Sequence, residues 1–285
     1  MSGLLTAQVL IATFTTVIVM AIQIASYAAR YAGVLTRRIA TAISLFSLLV
    51  TASRLAALLI TPSLGAIADG VAKPASDAHL TSVPAALLGT FDTQMRIIVA
   101  ANTLGVLLGI VLLPVFLRAF VRGIGSFERL GSIPRALLRL GDPRVIADLA
   151  GALTASPGPI GAYRRSAIPM KLIIANTVLY TVYSIGVVAA YYASVLDLTA
   201  RTTATGLSGI VNGVGTVAFA LFIDPATAFI VDQTVRGERT AHDVKSMIFW
   251  LCITALVGTV LAQLILFPAA EYIAAVAHFW AHQKH

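Results

Sequence analysis

Polar positions are sparse along this chain, and they fall into blocks. Six stretches, about residues 4–29, 39–61, 96–118, 171–196, 205–231 and 246–268, are nearly devoid of charge. Each is long enough to cross a hydrocarbon core, because a helix needs about 20 apolar residues at a rise of about 1.5 Å per residue. No segment alternates apolar and polar over ten residues as a strand of an outer-membrane barrel does. The pattern predicts an all-α polytopic membrane protein of six transmembrane helices. The N-terminal "MSGLLTAQVLIATF" carries no basic region and no small-residue cleavage site, so it reads as the first span rather than a signal peptide.

The basic residues then fix an orientation. The first connection holds Arg30, Arg37 and Arg38, the third holds nine Lys and Arg between Arg118 and Lys171, and the fifth holds Arg236, Arg239 and Lys245. The opposite side has Lys73, Arg96, Arg201 and Lys284, and the remaining one of the 20 basic residues is Arg54. Positive residues mark the cytoplasmic face, which puts both termini outside. The chain therefore divides into a first transmembrane half (1–118), a cytoplasmic connection (119–170) and a second half with its tail (171–285). In that connection "SFERLGSIPRALLRLGDPRVIADLAGAL" sets Arg135 and Arg139 one turn apart beside Leu130, Leu137, Leu138 and Leu140. This predicts amphipathic helices lying on anionic lipid.

Composition narrows the classes further. The chain is 58% hydrophobic and only 11% charged, with a mean hydropathy of +0.90, outside the range of a soluble domain. A net charge of +8 could suggest nucleic acid, but in a membrane protein it reports orientation and anionic lipid, so no nucleic-acid partner is expected. The single cysteine, Cys252, forms no intrachain disulfide and excludes a thiolate-rich metal site. No metal or cofactor is expected.

The two halves share a weak internal similarity. "AARYAGVL" (Ala28–Leu35) matches "AAYYASVL" (Ala189–Leu196) at six of eight positions, and after a two-residue offset Thr36 and Arg38 fall on Thr199 and Arg201. "PSLGAIAD" (Pro62–Asp69) aligns with "PATAFIVD" (Pro225–Asp232) at Pro, Ile and Asp. Three spans per half make such a repeat inverted, the arrangement by which many transporters build two gates around a midplane site. Chance similarity between alanine-rich segments is the alternative.

Few residues are suited to chemistry. Arg54 lies roughly 22 Å along its helix from Ile39, where a charge must face a partner or a wet cavity. Its fork of donors matches phosphate. A structural ion pair with Asp69 or Asp224, or snorkelling to headgroups, would also account for it. Asp224 precedes Pro225, and carbonyls freed there beside a carboxylate suit a cation or a proton; a solvated helix end is equally compatible. Asp69 and Asp232 are the matching carboxylates of the repeat and further candidates for coupling or ion pairing. Gly206, Gly209, Gly213 and Gly215 predict close helix packing in the fifth span, which makes it a candidate surface for a homodimer; less often such glycines mark an unwound segment whose amides face an anion. Gln23, Asn102, Asn176, Tyr180, Tyr183 and Asn212 are candidates to line a polar cavity or to bond between helices. His278 and His282 share a face in the tail but lack the carboxylate of a metalloprotease motif. No phosphate-binding loop or nucleophile elbow occurs, and no catalytic residue is assigned.

The block "SYAARYAGVLTRRIATAISLFSLLVTASRL", closing with "PSLGAIADG", resembles the Amj family of bacterial lipid II flippases, the alternate to the MurJ flippase. The match is specific over about Ser26 to Gly70, and over the rest the length and span pattern agree. The resemblance implies a lipid transporter of the bacterial inner membrane. It would carry undecaprenyl-pyrophosphate-linked disaccharide-pentapeptide outward for cell-wall synthesis and cell shape. On that reading Arg30, Arg37 and Arg38 sit where the inner-leaflet pyrophosphate is first met, although they also satisfy the positive-inside bias alone. Arg54 becomes a second, deeper phosphate station. The rival readings are a membrane enzyme or transporter acting on another prenyl-phosphate-linked substrate, a small-solute transporter and a scaffold subunit.

Overall fold

The structure is a computed structural model that describes residues 3–131, 142–154, 163 and 168–283. Among these residues it is helical throughout its regular elements: α1 (Ala7–Thr36), α2 (Ile39–Ala57), α3 (Ile60–Asp77), α4 (Ala85–Val111), α5 (Leu113–Leu130), α6 (Pro143–Ala150), α7 (Met170–Leu196), α8 (Arg201–Ala218), α9 (Asp224–Val235) and α10 (Ala241–Ala281). A 3₁₀ turn, Gly151–Thr154, follows α6, and a π turn, Phe219–Ile223, joins α8 to α9. Six spans are long and apolar enough to cross a membrane: α1, α2 with α3, α4, α7, α8 with α9, and α10. The protein is a multi-pass membrane protein.

Local chemistry sets the ends of these helices. The Thr6 side chain accepts from the Val9 amide at the start of α1, and Thr240 with Asp243 forms a reciprocal capping box before α10. Arg37 closes α1 in the left-handed conformation (φ 56°), and the next amide, that of Arg38, bonds the Gly33 carbonyl, so α2 turns directly back along α1. At the other end His278 Nδ1 lies 2.6 Å from the Asp197 carboxylate, tying α10 to the corner between α7 and α8. Burial alone would raise the pKa of Asp197. Hydrogen bonds from Thr199 and His278 and from the Thr199 and Ala200 amides outweigh it, holding the carboxyl below its ordinary value. The same corner carries Arg201.

Both second spans are broken. Pro62 has no N–H to give and crowds the carbonyl of Leu58, four residues back. There the helix tightens, with Leu58 and Leu59 bonding only three residues back, to Leu55 and Ala56. Pro225 stands in the same relation to Leu221, inside the π turn.

Packing separates a core from two flanks. α1 packs on α4, and α7 packs on α10, through glycines that bring backbones together. A Cβ on Gly105 would lie 2.6 Å from Val17 O, and one on Gly258 would lie 2.6 Å from Thr177 O. Contacts of α4 with α10, and of α3 with α7, join the four core helices and the flanks. The broken spans lie outside, α2 and α3 against α1, and α8 against α7. We expect Gly258→Val to destabilise the fold by about 1–3 kcal/mol, since no rotation of a rigid backbone relieves the overlap. Gly209→Val should cost little, because nothing lies within 4 Å of its Cβ position. Thermal unfolding midpoints of the two purified variants check this contrast.

Two expectations change, and a third falls outside the described residues. The third span runs from Ala85, about ten residues earlier than the hydropathy pattern placed it, and takes in Asp92 and Arg96. These two pair at 2.7 Å one turn apart, Tyr192 donates to Asp92, and Arg96 and Gln263 exchange side chain-to-carbonyl bonds. So satisfied, the charges are tolerated within the helix. Close packing within the chain does not explain three of the four glycines of the fifth span. Gly206, Gly209 and Gly213 have nothing within 4 Å, and the tightly packed glycines are Gly105, Gly109, Gly186 and Gly258. The amphipathic pair through Arg135 and Arg139 lies outside the described residues. Its flanks are tied together where Arg122 pairs with Asp148 and Arg118 donates to the Asp148 carbonyl.

Candidate functional site

Three cavities follow one another along the bundle. The first, about 180 Å³, is bounded by α1 from Val19 to Arg30, by α2 from Phe46 to Ala57, by Tyr180 and Tyr183, and by Thr216 to Asp224. A second, about 560 Å³, continues from Arg54 to Thr61 along α2 and α3, with Asn102, Ser184, Val188 and Asn212 to Val217. A smaller one, about 230 Å³, lies beyond it between Gly65, Ala68, Asp69, Tyr191, Arg201, Thr202 and Thr205. Along α7 the linings advance steadily from Tyr180 to Tyr191.

Each level of this path carries one arginine. In the first cavity Arg30 Nη2 donates to the Asp224 carboxylate at 2.5 Å, linking α1 to α9 just after the π turn. Its guanidinium is mostly buried, its other terminal nitrogen has no bonded partner, and it stands 6.0 Å from the Tyr27 ring. In the third cavity Arg201 pairs with Asp69, linking α8 to α3. Arg54 lies between them and lines both the first and the second cavity, together with Val19, Ala57, Tyr183 and Thr216. Among the described residues it forms no hydrogen bond and no ion pair. The two partners the sequence offered for it, Asp69 and Asp224, are engaged by other arginines.

The remaining candidates sort by position. Gln23, Tyr180 and Tyr183 line the first cavity, and Asn102, Tyr183 and Asn212 line the second. Asn176 lines none of these three cavities. It is fully buried, donates to Leu251 O and Thr254 Oγ1, and accepts from Tyr27, a bond network that fastens α7 to α10 and α1. Arg37 shapes the α1–α2 turn and Arg38 binds Glu128 of α5 at 2.6 Å, and neither lines any of the three cavities. Asp232 is exposed on α9 away from all three.

Sequence reasoning missed two residues. Arg201 was counted only as an outer basic residue, although its alignment with Arg38 marked it. Ser184 is buried in the second cavity with its hydroxyl unbonded, and an isolated serine in an apolar run gives no signal of that.

The walls of this path are uneven. α2 and α8 face each other across the first two cavities but share no packed interface. Leu55, Leu58, Ile210, Val214 and Val217 are exposed on these flanking helices. Such a side opening lets a molecule place polar groups in the cavity while an apolar chain stays in lipid.

Comparison with known proteins agrees with this architecture in its extent. The family described as Alternate to MurJ (Amj) matches residues 15–277. A relative from Bacillus subtilis (strain 168), named lipid II flippase Amj, is 30% identical over 272 residues, which cover 95% of this chain and 97% of that protein. No solved structure matches. With the match running through all six spans, the chain belongs to the Amj family.

Proposed function

We propose that this protein is a lipid II flippase. It carries the undecaprenyl-pyrophosphate-linked peptidoglycan precursor from the inner to the outer leaflet of the bacterial plasma membrane, its arginine-rich face cytoplasmic and its termini outside. The observation that carries this reading is Arg54, a guanidinium with no partner among the described residues, where two intramembrane cavities join. An isolated charge at membrane depth is costly, so its place in a path with arginines above and below supports a charged passenger.

On this reading the pyrophosphate passes from Arg30 to Arg54 to Arg201. Carboxylates hold the two end stations when no passenger is present. An arginine fork binds carboxylate and phosphate with similar geometry, so exchanging Asp224 or Asp69 for a phosphate need not create a deep trap. The prenyl tail stays in lipid beside the gap between α2 and α8, which spares the headgroup most of its desolvation cost. Outward movement of each negative charge gains about 2.3 kcal/mol per 100 mV of inside-negative potential, so no nucleotide is required.

The matched prolines add support to an inverted repeat. Pro62 and Pro225, aligned in sequence, each follow the break of a second span, and broken helices in corresponding positions are the usual mark of a transporter's binding site. In a bacterium depleted of its own lipid II flippase, expression of this chain should restore growth and make lipid II accessible to a probe acting only at the outer face. A protein present in the membrane that leaves lipid II inaccessible would remove the reading.

A further inference from the structure

Resting on that reading, we propose that the 560 Å³ cavity is a subsite for the uncharged, hydroxyl- and amide-bearing sugar next to the diphosphate, bonded by Ser184 and Asn212. The first observation is a set of unmet hydrogen bonds. Ser184 Oγ is buried in the cavity wall, the residue only 4% exposed, and it has no bonded partner. A hydroxyl so placed is costly unless something occupies the cavity and bonds it. The side-chain amide of Asn212, an exposed residue on an apolar span, bonds nothing among the described residues and lines the same space. Together they offer hydroxyl and amide donors and acceptors, the complement of sugar hydroxyls and N-acetyl groups.

Charge and size point the same way. Among the described residues no aspartate, glutamate or lysine lines this cavity, and its one charged group, Arg54, stands at the end shared with the first cavity. A volume of 560 Å³ falls within the roughly 300–1,000 Å³ of sites that enclose small organic ligands. The first cavity, about 180 Å³, suits only a small anion beside Arg30 and Arg54. In a lipid-linked sugar the first ring is bonded directly to the diphosphate. With the diphosphate on Arg54, that ring must occupy the adjoining space. The side opening between α2 and α8 leaves the prenyl chain outside it.

The test measures binding of two lipids to the purified full-length protein in nanodiscs: undecaprenyl diphosphate, and the same lipid bearing a single N-acetylglucosamine, which adds hydroxyls and an amide but no charge. The wild type should bind the sugar-bearing lipid about tenfold more tightly. Ser184→Ala and Asn212→Leu should each remove most of that preference while leaving affinity for the bare diphosphate unchanged. Both variants should fold, because neither side chain has a bonded partner to lose. Equal affinity of the wild type for both lipids would overturn the subsite and leave the flippase reading standing, as would a preference that survives both substitutions. Failure of the wild type to bind either lipid would overturn the flippase reading, and the subsite with it.

Discussion

Arg54→Leu should reduce lipid II translocation by one to two orders of magnitude while the protein remains folded and in the membrane. A charge-assisted hydrogen bond contributes about 1.5–3 kcal/mol, and each 1.4 kcal/mol is a factor of ten, so losing one arginine-to-phosphate contact accounts for a fall of this size. The fold should tolerate the change, because the Arg54 side chain is exposed to the cavity and gives up no ion pair or hydrogen bond among the described residues. Arg54→Lys separates two explanations. If the side chain only snorkels toward headgroups, lysine serves as well. If it holds a phosphate through its fork, lysine keeps the charge but not the paired donors, and activity should be intermediate. Outer-face accessibility of lipid II, read at matched protein levels, gives all three values. Wild-type transport by the leucine variant would discard Arg54 as a station and leave the rest of the path to be explained.

How much of this was legible in the sequence depends on the range of each interaction. Six spans could be counted because hydropathy is a local property summed over about 20 residues. The third span was misplaced because the Asp92–Arg96 pair reads as two charges in sequence and as a neutralised turn in the fold. Arg54 could be singled out because its neighbours are apolar, whichever way the chain folds. Its lack of a partner could not be foreseen. It depends on Arg30 reaching Asp224 across 194 residues and Arg201 reaching Asp69 across 132. The glycine-rich fifth span misled for a related reason. Small residues permit close approach but do not compel it, and in α8 three of them border open space. Asn176 and Asn102 look alike in sequence and both bond between helices, yet only Asn102, which donates to the Ser184 carbonyl, also borders one of the three cavities.

The far-end pair of Asp69 and Arg201 provides the sharpest test of the path as a whole. Both Asp69→Arg and Arg201→Asp should abolish transport, for a shared reason and a separate one. Each sets like charges against one another between α3 and α8, where the wild type has an attraction across the last cavity of the path. Each also unbalances the last station, with two cations that retain the phosphate or two carboxylates that repel it. The double swap restores the attraction with its polarity reversed. If the pair only holds α3 against α8, the swap should recover transport nearly to wild type, and the double-mutant cycle should show a large coupling. If Arg201 also receives the pyrophosphate, recovery must be incomplete, because the guanidinium now approaches from α3 rather than α8, away from Thr202 and Thr205. The relay therefore predicts an intermediate value, above either single variant and below the wild type. Full recovery would reduce Arg201 to a latch, and inactive single variants with no recovery would leave no evidence that the two residues act as a pair.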